Sequence, residues 1–501
     1  MMLNRLIQGI DQKILAAPAK ADDCRIGSIH YDSRQVAPGG LFVAIRGMVS
    51  DGHDFIGDAL EKGAAAIVVQ KPVKVDIPCY RVADTRKALA ALADRFYDHP
   101  SRKLVVAGIT GTNGKTTTTF IVERMLQSSG FNVGVIGTVN YRYNQKVFDN
   151  PVTTPESLDL QRILAEMLAE RVSHVIMEVS SHAIDLDRIF KCAIDVGAFT
   201  NLTQDHLDYH LEMQSYWKCK KRLFTEHLNP DDGVAVVNVD DERGRELVRE
   251  LSCPCITVGN GPAAMVRPLS TDLGIQGIEG VIRTPAGEFG YRSKLTGHFN
   301  LANILCAVGI GVALNVAPEA LKAGIENLPA VPGRLQRVPG PVDRHVYVDY
   351  AHTPDALENV LQALKALGHG RLICVFGCGG NRDRAKRSMM GEISGRLSDL
   401  TIVTSDNPRL EEPAAIIDDI LPGLKTVCRR EYNPGQIRNG WQTGGYLVEP
   451  DRRSAIRLGI EASAPGDIVL IAGKGHETYQ IVGKRTLPFD DMQEAQEALG
   501  N

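Results

Sequence analysis

The chain has 501 residues, which is enough for about three domains. Hydrophobic residues make up 44% of the sequence and charged residues 23%, and this balance excludes a largely disordered chain. The formal net charge of −4 excludes the basic surface typical of nucleic-acid-binding proteins, so an anionic substrate would need a local basic pocket.

The N-terminal segment MMLNRLIQGI has too short an apolar stretch for a signal peptide, and no later run approaches ~18 apolar residues. We therefore expect a cytoplasmic protein without membrane insertion. The ten cysteines are scattered, and the close pairs Cys253/Cys255 and Cys374/Cys378 lack a second pair at zinc-finger spacing. We expect buried free thiols.

Residues 1–100 predict a small α/β domain. Short β-like runs at 41–45 and 65–69 are separated by helical segments, and a helix over 85–97 is closed by His99-Pro100.

The segment GITGTNGKTT, residues 108–117, follows an apolar run and precedes a helix-like stretch over 118–128. This is the layout of a phosphate-binding loop, in which backbone N–H groups and the helix N-terminus face an anion. Lys115 would reach the phosphates and the Thr116 hydroxyl would hold Mg2+. Strict G-x-x-x-x-G-K-[ST] spacing is not met, and the alternative is a glycine-rich turn with an incidental lysine.

Apolar strands then alternate with helical patterns. Strand-like runs occur at 132–138, 174–179, 195–202 and 233–239, and a helix is predicted to open at Thr154-Pro155. The alternation predicts a doubly wound, mostly parallel sheet with helices on both faces, in a domain over residues 101–333.

Glu178 ends an otherwise apolar strand, where a carboxylate is costly unless it meets a cation or leaves the core. It is a candidate Mg2+ ligand, and the alternative is a strand-end glutamate turned to solvent. The segment TNLTQDHLDYH, residues 200–210, brings Asp205, His206 and His210 after another strand, although alone it could be a polar loop. A basic helical stretch containing Lys220 follows, and by itself this residue would be read as a solvated helix lysine.

The segment PAVPGRLQRVPG, residues 329–340, concentrates proline and glycine and is typical of an interdomain linker. A second α/β series over residues 334–501 follows. Its strands are predicted to end at Asp349, Gly377, Thr404 and Ala472, and ligand groups in open α/β sheets cluster beyond the carboxyl ends of strands.

The tetrapeptide Asp406-Asn407-Pro408-Arg409 follows one of these strands. Pro408 has a fixed φ and biases Asn407 away from helix, so the turn can present Arg409 rigidly. A guanidinium pairs with a carboxylate through two parallel hydrogen bonds. In isolation the same tetrapeptide could be a plain β-turn.

The motifs together resemble the Mur ligase family along the whole chain, in particular its members that add the third amino acid of the peptidoglycan peptide. The matching segments are DSR, GTNGKTT, Thr153-Thr154, EVSSH, NLTQDHLDYH, GHFNLAN, DYAHTPD, GCGGNRD, DNPR and GKGHE. The loop also resembles that of the folylpolyglutamate synthetases. The resemblance implies a three-domain α/β fold, with a P-loop ATPase-like central domain and a Rossmann-like C-terminal domain.

The resemblance further implies ATP-dependent addition of meso-diaminopimelate to UDP-N-acetylmuramoyl-L-alanyl-D-glutamate through an acyl phosphate, by a monomer that uses ATP and two Mg2+ ions. In the family, the lysine at the position of Lys220 is carbamylated by CO2. An ordinary lysine with a pKa of about 10.4 is cationic, whereas its carbamate can ligate magnesium.

The site residues that the resemblance implies fall into four groups. The catalytic residues would be Lys115, Glu178, His206 and Lys220, and the metal ligands Thr116, Glu178, His206 and carbamylated Lys220. ATP would contact Gly111, Thr112, Asn113, Gly114, Lys115, Thr116, Thr117, Asn300, Asn303, Arg334 and Asp349. The UDP-sugar-peptide would lie between the first two domains, against Tyr31, Ser33, Thr153, Thr154, Ser180 and Arg188. Diaminopimelate would meet Arg382, Asp406, Asn407, Pro408, Arg409, Gly473 and Glu477 in the C-terminal domain.

Two places depart from the family pattern. Met48-Val49-Ser50 stands where relatives often have His-Gln-Ala, and Leu186 stands where glutamine is frequent, so no contact is carried over to them. By spacing alone, Asn300 and Asn303 are as consistent with a helix cap and its neighbour as with an adenine site.

Two rival functions remain at this point. A folylpolyglutamate synthetase is disfavoured by DNPR and by the N-terminal DSR segment. A nucleotide-dependent switch would make no covalent product, and the chain lacks the N-K-x-D guanine signature. A ligase releases phosphate only when both peptide and amine are present, which distinguishes it from a switch.

Overall fold

The computed structural model describes residues 1–10, 12–16, 24–47, 50–341, 343–368, 370–428, 430–438 and 440–500. Met48 and Val49, two of the positions that depart from the family pattern, lie outside them. Three large sheets follow one another along the chain, each with its own buried apolar core.

The first sheet has five strands. Its elements are α1 (Leu3–Ile7), β1 (Gln12–Ala16), β2 (Ile29–His30), β3 (Leu41–Val43), α2 (Ile56–Glu61), β4 (Ala66–Val69), β5 (Cys79–Val82) and α3 (Thr85–Phe96). The strand order is β1-β5-β4-β3-β2, and only β1 runs antiparallel to its neighbour. Helix α3 begins where the Asp84 carboxylate accepts hydrogen bonds from the N–H groups of Arg86 and Lys87. The small α/β unit expected here is present.

The second sheet has eight strands in the order β13-β12-β11-β6-β10-β7-β8-β9. Its strands are β6 (Val105–Thr110), β7 (Val133–Ile136), β8 (Tyr141–Tyr143), β9 (Lys146–Phe148), β10 (His174–Glu178), β11 (Val196–Phe199), β12 (Val234–Asn238) and β13 (Cys255–Val258). Its helices are α4 (Lys115–Ser128), α5 (Ser157–Ala169), α6 (Ser181–Asp185), α7 (Leu207–His210), α8 (Met213–Arg222), α9 (Glu242–Glu250), α10 (His298–Ala313) and α11 (Pro318–Glu326). The pairs β7–β8 and β8–β9, at one edge, are antiparallel, and the other pairs are parallel.

Both faces of this sheet are covered by helices. One core packs side chains of α4, α10 and α11 against the sheet, and the other packs those of α5 and α8 against its opposite face. The expectation of a doubly wound, mostly parallel sheet is confirmed. A three-stranded antiparallel sheet that the sequence did not predict follows β13, with strands β14 (Arg267–Gly274), β15 (Gly277–Thr284) and β16 (Gly287–Ser293).

Two helix starts differ from the sequence expectation. Helix α4 begins at Lys115 rather than at 118, because Gly114 ends the loop with a φ of 88° and the helix continues directly from it. Helix α5 begins at Ser157 rather than at Thr154-Pro155, with Glu156 as its N-cap. The Thr154 hydroxyl instead donates to the carbonyl oxygen of Glu178 at 2.8 Å and packs against the strand end.

The third sheet has seven strands in the order β17-β18-β23-β19-β20-β22-β21, and only β17 runs antiparallel. Its strands are β17 (Gln336–Arg337), β18 (His345–Asp349), β19 (Leu372–Phe376), β20 (Leu400–Val403), β21 (Arg430–Glu431), β22 (Gly445–Val448) and β23 (Ile468–Ala472), and a separate hairpin contains β24 (Tyr479–Val482) and β25 (Arg485–Pro488). Its helices are α12 (Pro354–Lys365), α13 (Ala385–Leu397), α14 (Pro413–Val427), α15 (Pro434–Arg438), α16 (Arg452–Glu461) and α17 (Asp491–Ala498). The ends of β18 and β23 match the expectation, and β19 and β20 end one residue earlier.

The cysteines and the apolar character of the helices were both considered from the composition. All ten cysteines are free, and most are buried. Among the described residues, none of the helices combines the length and the apolar character that crossing a bilayer requires.

Candidate functional site

The phosphate-loop motif forms the turn between β6 and α4. Gly111 has a φ of 146° and Gly114 a φ of 88°, conformations that residues with a Cβ rarely adopt. A Cβ on Gly111 would lie 1.8 Å from Thr200 Oγ1, and one on Gly114 would lie 2.2 Å from Asn303 Oδ1. Glycine is therefore required at both positions, and the incidental-turn interpretation does not fit this strand–loop–helix unit.

Lys115 folds back over this loop. Its ammonium donates to the carbonyl oxygens of Gly111 at 3.0 Å and Thr112 at 2.8 Å. Burial lowers the pKa of Lys115, and the carboxylates of Glu178 and Asp205 partly offset that effect. The loop thus holds a lysine whose partners are neutral carbonyls, which an anion can replace.

Glu178 lies at the end of β10, beside the loop, and is 1% exposed. Its Oε2 accepts hydrogen bonds from the hydroxyls of Thr116 at 3.0 Å and Thr138 at 2.9 Å, and its Oε1 accepts one from the Thr138 N–H at 2.9 Å. The alternative that this carboxylate turns to solvent is wrong. Parallel pairing of β10 with β6 brings Glu178 level with the start of the loop.

Lys220 is also inside the protein, with 1% exposure, so the interpretation as a solvated helix lysine is wrong. Its ammonium donates to the carbonyl oxygen of Gly111 at 2.7 Å and lies 4.5 Å from the centre of the Tyr216 ring. Burial, and secondarily the charge of Lys115, lower the pKa of Lys220 well below its ordinary value. Burial therefore shifts this amine toward its neutral form.

His206 has a left-handed backbone, with a φ of 54°, and precedes the short helix α7. Its Nε2 lies 3.3 Å from Asp205 Oδ2, and its ring meets that of His182 edge to face at 5.0 Å. Burial lowers the pKa of His206 to about 4, against the opposing effect of Asp205. The imidazole is thus neutral near neutral pH, the form that ligates metals.

Within the described part of the chain, His, Cys, Asp and Glu side chains form no group of three or more that could hold a metal ion. The candidate ligand groups at the loop are the Thr116 hydroxyl, the Glu178 carboxylate that accepts its hydrogen bond, and the Lys220 amine that donates to Gly111; His206 is close enough for the charge of Lys115 to lower its pKa further.

Asn300 and Asn303 lie inside α10 and share one face. Asn300 Nδ2 donates to the carbonyl oxygen of Thr296 at 2.8 Å, and Asn303 Nδ2 donates to Asn300 Oδ1 at 2.9 Å. The cap position belongs to Gly297, so the helix-cap interpretation of Asn300 is wrong. Asn303 lies against Gly114 at the end of the phosphate loop, and Asn300 supports it from one turn earlier in the helix.

Arg334 joins the linker to the loop. Its Nη2 donates to Thr116 Oγ1 at 3.2 Å, and its guanidinium lies 4.7 Å from the centre of the Tyr350 ring. The Asp349 carboxylate accepts hydrogen bonds from the N–H groups of Leu335 at 2.6 Å and Ala351 at 2.7 Å, which fixes the linker against the end of β18. Burial raises the pKa of Asp349.

A second group lies between the first two sheets. Thr153 Oγ1 is 3.1 Å from Thr138 Oγ1, and Arg188 Nη1 donates to the carbonyl oxygen of Thr154 at 3.0 Å. The Ser180 N–H donates to Thr154 Oγ1 at 3.1 Å. Thr154, Ser180 and Arg188 are thus connected at the end of β10, and Thr153 joins them through Thr138, which donates to Glu178. Tyr31 instead donates to Asp159 Oδ2 at 2.6 Å, and Ser33 is buried at the start of the 3-10 turn Ser33–Gln35.

The DNPR tetrapeptide is held by the hairpin of β24 and β25. Arg409 has a left-handed backbone, with a φ of 52°; its N–H donates to the carbonyl oxygen of Ile481 at 3.0 Å, and its own carbonyl accepts from the Gly483 N–H at 2.7 Å. Its guanidinium donates to the carbonyl oxygen of Gly380 at 2.9 Å. The segment is therefore more than a plain β-turn, because the hairpin fixes it.

Asp406, Asn407 and Glu477 come together beneath this turn. Asn407 Nδ2 donates to Glu477 Oε2 at 2.8 Å. The N–H of Gly473, whose φ is 119°, donates to the carbonyl oxygen of Asp349 at 3.1 Å. Pro408 is buried. Arg382 is exposed on the loop after β19, near Gly379.

Sequence reasoning missed two residues of this region. Lys474 lies between Asp406 and Glu477, and although the GKGHE motif was recognised, nothing in its spacing marks the lysine as buried. Asp355, in the recognised DYAHTPD motif, accepts hydrogen bonds on its Oδ2 from Asn113 Nδ2 at 2.9 Å and Thr203 Oγ1 at 2.8 Å. It joins α12 of the third sheet's unit to the phosphate loop.

Three family models match the chain. The model described as Mur ligase family, catalytic domain matches residues 25–97, that of the Mur ligase middle domain matches 109–311, and that of the Mur ligase, glutamate ligase domain matches 333–475. The chain is 48% identical over 480 residues to UDP-N-acetylmuramoyl-L-alanyl-D-glutamate–2,6-diaminopimelate ligase of Geobacter metallireducens, covering 95% of this chain and 94% of that protein.

Solved structures agree with these matches. A structure of UDP-N-acetylmuramoyl-L-alanyl-D-glutamate–2,6-diaminopimelate ligase is 29% identical, with a TM-score of 0.68 and coverage of 97% of this chain and 96% of that one. The folylpolyglutamate synthase of Mycobacterium tuberculosis complexed with ADP and AMPPCP shares the fold, with a TM-score of 0.64 at 16% identity and coverage of 83% of this chain and 95% of that one. The shared fold alone therefore does not separate the two enzyme classes.

Proposed function

This chain belongs to the Mur ligase family, and we propose that its ATP-dependent ligation of 2,6-diaminopimelate to UDP-N-acetylmuramoyl-L-alanyl-D-glutamate proceeds through an acyl phosphate. The terminal glutamyl carboxylate of the UDP-sugar dipeptide attacks the γ-phosphorus of ATP, and ADP leaves. The amine of diaminopimelate then attacks the acyl carbon, and phosphate leaves as the amide forms. Neither step requires a nucleophile from the protein.

The phosphate loop carries the first step. The positive φ at Gly111 and Gly114 lets the backbone turn tightly before the N-terminus of α4, where phosphate oxygens would bind. Lys115 exchanges the loop carbonyls for the β- and γ-phosphates and neutralises the charge that develops between two anions. The rest of the proposed ATP site comes from the loop and its helix, from α10 beside the adenine, and from the linker side. The residues are Thr112, Asn113 and Thr117 for the loop, Asn300 and Asn303 for the adenine, and Arg334 and Asp349 for the linker side.

Two Mg2+ ions would be held by the Thr116 hydroxyl, Glu178, His206 and a carbamate on Lys220, and when bound they supply charge neutralisation at the transferring phosphoryl group. The donor set fits magnesium, which is usually bound by one or two carboxylates together with waters and phosphates. Lys220 supports the carbamate because its amine is buried and its pKa is lowered, and the neutral amine is the form that reacts with CO2.

The UDP-sugar dipeptide lies against the group formed by Thr153, Thr154, Ser180 and Arg188, with its uridine end toward Tyr31 and Ser33. This arrangement is supported by the position of Thr154, whose hydroxyl contacts the Glu178 carbonyl, so a substrate there would end beside the phosphate loop. Residues 1–100 would then bind the UDP-sugar dipeptide, residues 101–333 ATP, and residues 334–501 the incoming amino acid.

The meso form of diaminopimelate would be bound by Arg409, Asp406 and Glu477, with Arg382, Asn407, Pro408 and Gly473 around them. The Arg409 guanidinium has carbonyl partners and is half-buried, so it is available to a substrate carboxylate. Asp406 Oδ1 is buried and accepts no hydrogen bond within the part of the chain that the structure describes, which suits it to a substrate ammonium. We further propose that the enzyme acts as a cytoplasmic monomer.

The buried DNPR site is the observation that favours a diaminopimelate ligase over a folylpolyglutamate synthetase, because the two enzyme classes share the fold and the fold cannot distinguish them. Phosphate release with ATP and the UDP-sugar dipeptide is measured with diaminopimelate, with lysine and with no amine. We expect release with diaminopimelate and a new amide product. Release without any amine would favour a nucleotide-hydrolysing switch, and equal use of lysine would contradict the proposed substrate.

A further inference from the structure

Lys474 is a lysine with no exposed surface, in the loop that follows β23. Its ammonium lies 3.3 Å from Glu477 Oε2 and 3.6 Å from Asp406 Oδ1, and it donates to Asn407 Oδ1 at 3.0 Å. All three partners belong to the proposed diaminopimelate site. An ammonium in the interior is costly unless such partners compensate for the loss of water.

The loop that carries Lys474 is fixed by close backbone approaches. Gly475 has a φ of 56°, and a Cβ there would lie 2.7 Å from the Cβ of Tyr350. A Cβ on Gly333, in the linker, would lie 2.1 Å from the backbone nitrogen of His476. Lys474 is therefore anchored between the linker and the DNPR turn, and its ammonium has little freedom to leave its partners.

The charges of the neighbouring side chains indicate what the Lys474 ammonium does. Asp406 and Glu477 bring two negative charges into one buried site, and Lys474 compensates for one of them. The remaining negative charge matches a single substrate ammonium, while Arg409 matches a single carboxylate. The distal end of diaminopimelate carries one group of each kind, so the site and the ligand end are complementary.

We propose that Lys474 is a positioning residue for diaminopimelate: its ammonium holds Asp406, Asn407 and Glu477 in place and leaves the charge that one substrate ammonium needs. This inference rests on the proposed function. The lysine does not touch the reacting atoms, and it acts through the residues that hold the amino acid.

The test is Lys474→Met, which keeps the length of the side chain and removes its charge. We expect the KM for diaminopimelate to rise about 10- to 100-fold, as is usual when a supporting group behind a ligand contact is lost. The KM values for ATP and the UDP-sugar dipeptide should stay unchanged, because the partners of Lys474, which are Asp406, Asn407 and Glu477, belong to neither of those proposed sites. A rise in the KM for diaminopimelate alone distinguishes a positioning role from a general loss of folded enzyme.

The matched control is Arg371→Met. Arg371 pairs with the buried Asp467 at 2.7 Å, at the opposite ends of the strands β19 and β23. It should lower stability without changing any KM. Should Lys474→Met fail to fold, Lys474→Gln is measured instead, since its shorter side chain keeps an N–H donor and removes the charge.

The outcomes separate this inference from the proposed function. If the wild-type enzyme releases no phosphate with diaminopimelate, the proposed function itself fails. If the wild-type enzyme uses diaminopimelate and the folded Lys474 variant keeps its KM, or raises all three KM values equally, the positioning role is overturned. A rise confined to diaminopimelate supports it.

Discussion

Lys220 and Gly111 are joined by a hydrogen bond of 2.7 Å between the ammonium and the loop carbonyl, although they stand 109 residues apart in the sequence. The contact brings helix α8 under the phosphate loop. A carboxylate built on this lysine would therefore appear beside the place where phosphates bind, and an unmodified cationic lysine there would compete with Mg2+ for the same space.

We expect Lys220→Ala to lose most ligase activity while remaining folded, because the proposed carbamate ligand is absent. Small carboxylates such as acetate or formate should restore part of the rate by replacing the carbamate. Lys221→Ala is the control, since the neighbouring lysine pairs with Glu250 at the surface and should keep its activity. Turnover near the wild-type rate in the Lys220 variant would contradict the assignment.

Arg409→Ala should raise the KM for diaminopimelate and leave ATP binding close to normal. Truncating one partner of a buried charged pair typically costs about 2 to 5 kcal/mol, which corresponds to ~30-fold to several thousand-fold. The variant need not use lysine well, because the rest of the pocket still fits the original substrate. Arg384→Ala, which removes a mostly exposed arginine paired with Asp419, serves as the control. A full preference for diaminopimelate in the Arg409 variant would refute the selector role.

Gly114→Ala and Gly130→Ala form a matched pair for the phosphate loop. Both glycines have positive φ, at 88° and 83°, so alanine at either should cost about 1–3 kcal/mol of stability. A Cβ at Gly130 meets nothing within 4 Å, whereas one at Gly114 meets Asn303 Oδ1. We expect only the Gly114 variant to lose ATP affinity, measured by calorimetry. Equal affinities in the two variants would show that the close approach is not needed.

Acid should weaken the third sheet's unit through Glu411. Hydrogen bonds from Arg387 and the Asn381 N–H lower the pKa of Glu411 from its ordinary 4.5 to about 2. A carboxyl with a lower pKa in the folded state stabilises fully above pH 4.5, and that contribution is lost as the pH falls toward 2. Unfolding by urea across this window should show falling stability. Arg387→Met should flatten the slope, and Arg396→Met, at the exposed pair with Glu358, should not.

The sequence predicted those features that depend on local pattern. The phosphate loop, the alternation that builds the second sheet and the ends of β18 and β23 all follow from short-range periodicity and glycine placement. The three-stranded sheet of β14 to β16 was missed because its strands lack a regular alternation of apolar and polar residues. Most residues of β14 are exposed. Such a surface sheet is defined by its antiparallel partners rather than by its own pattern.

The burial of charged residues could not be read from the sequence either. Lys220 and Lys474 look like ordinary surface lysines along their own segments, and both become interior only through contacts with distant loops. Glu178 was identified because an isolated acid at the end of an apolar strand is itself unusual. Asp355 was not, because a residue at the start of a helix is commonly acidic for local reasons.

Each of the three large sheets has at least one thiol buried in a core on one of its faces: Cys79 at the first sheet, Cys306 at the second and Cys374 at the third. Burial raises the pKa of Cys79 to about 11 and those of Cys306 and Cys374 to about 12. Since the thiolate is the form that alkylating reagents attack, each thiol stays silent until its own core opens. The order in which Cys79, Cys306 and Cys374 are labelled, followed peptide by peptide beside the other four buried cysteines, therefore gives the order in which the three parts of the molecule unfold.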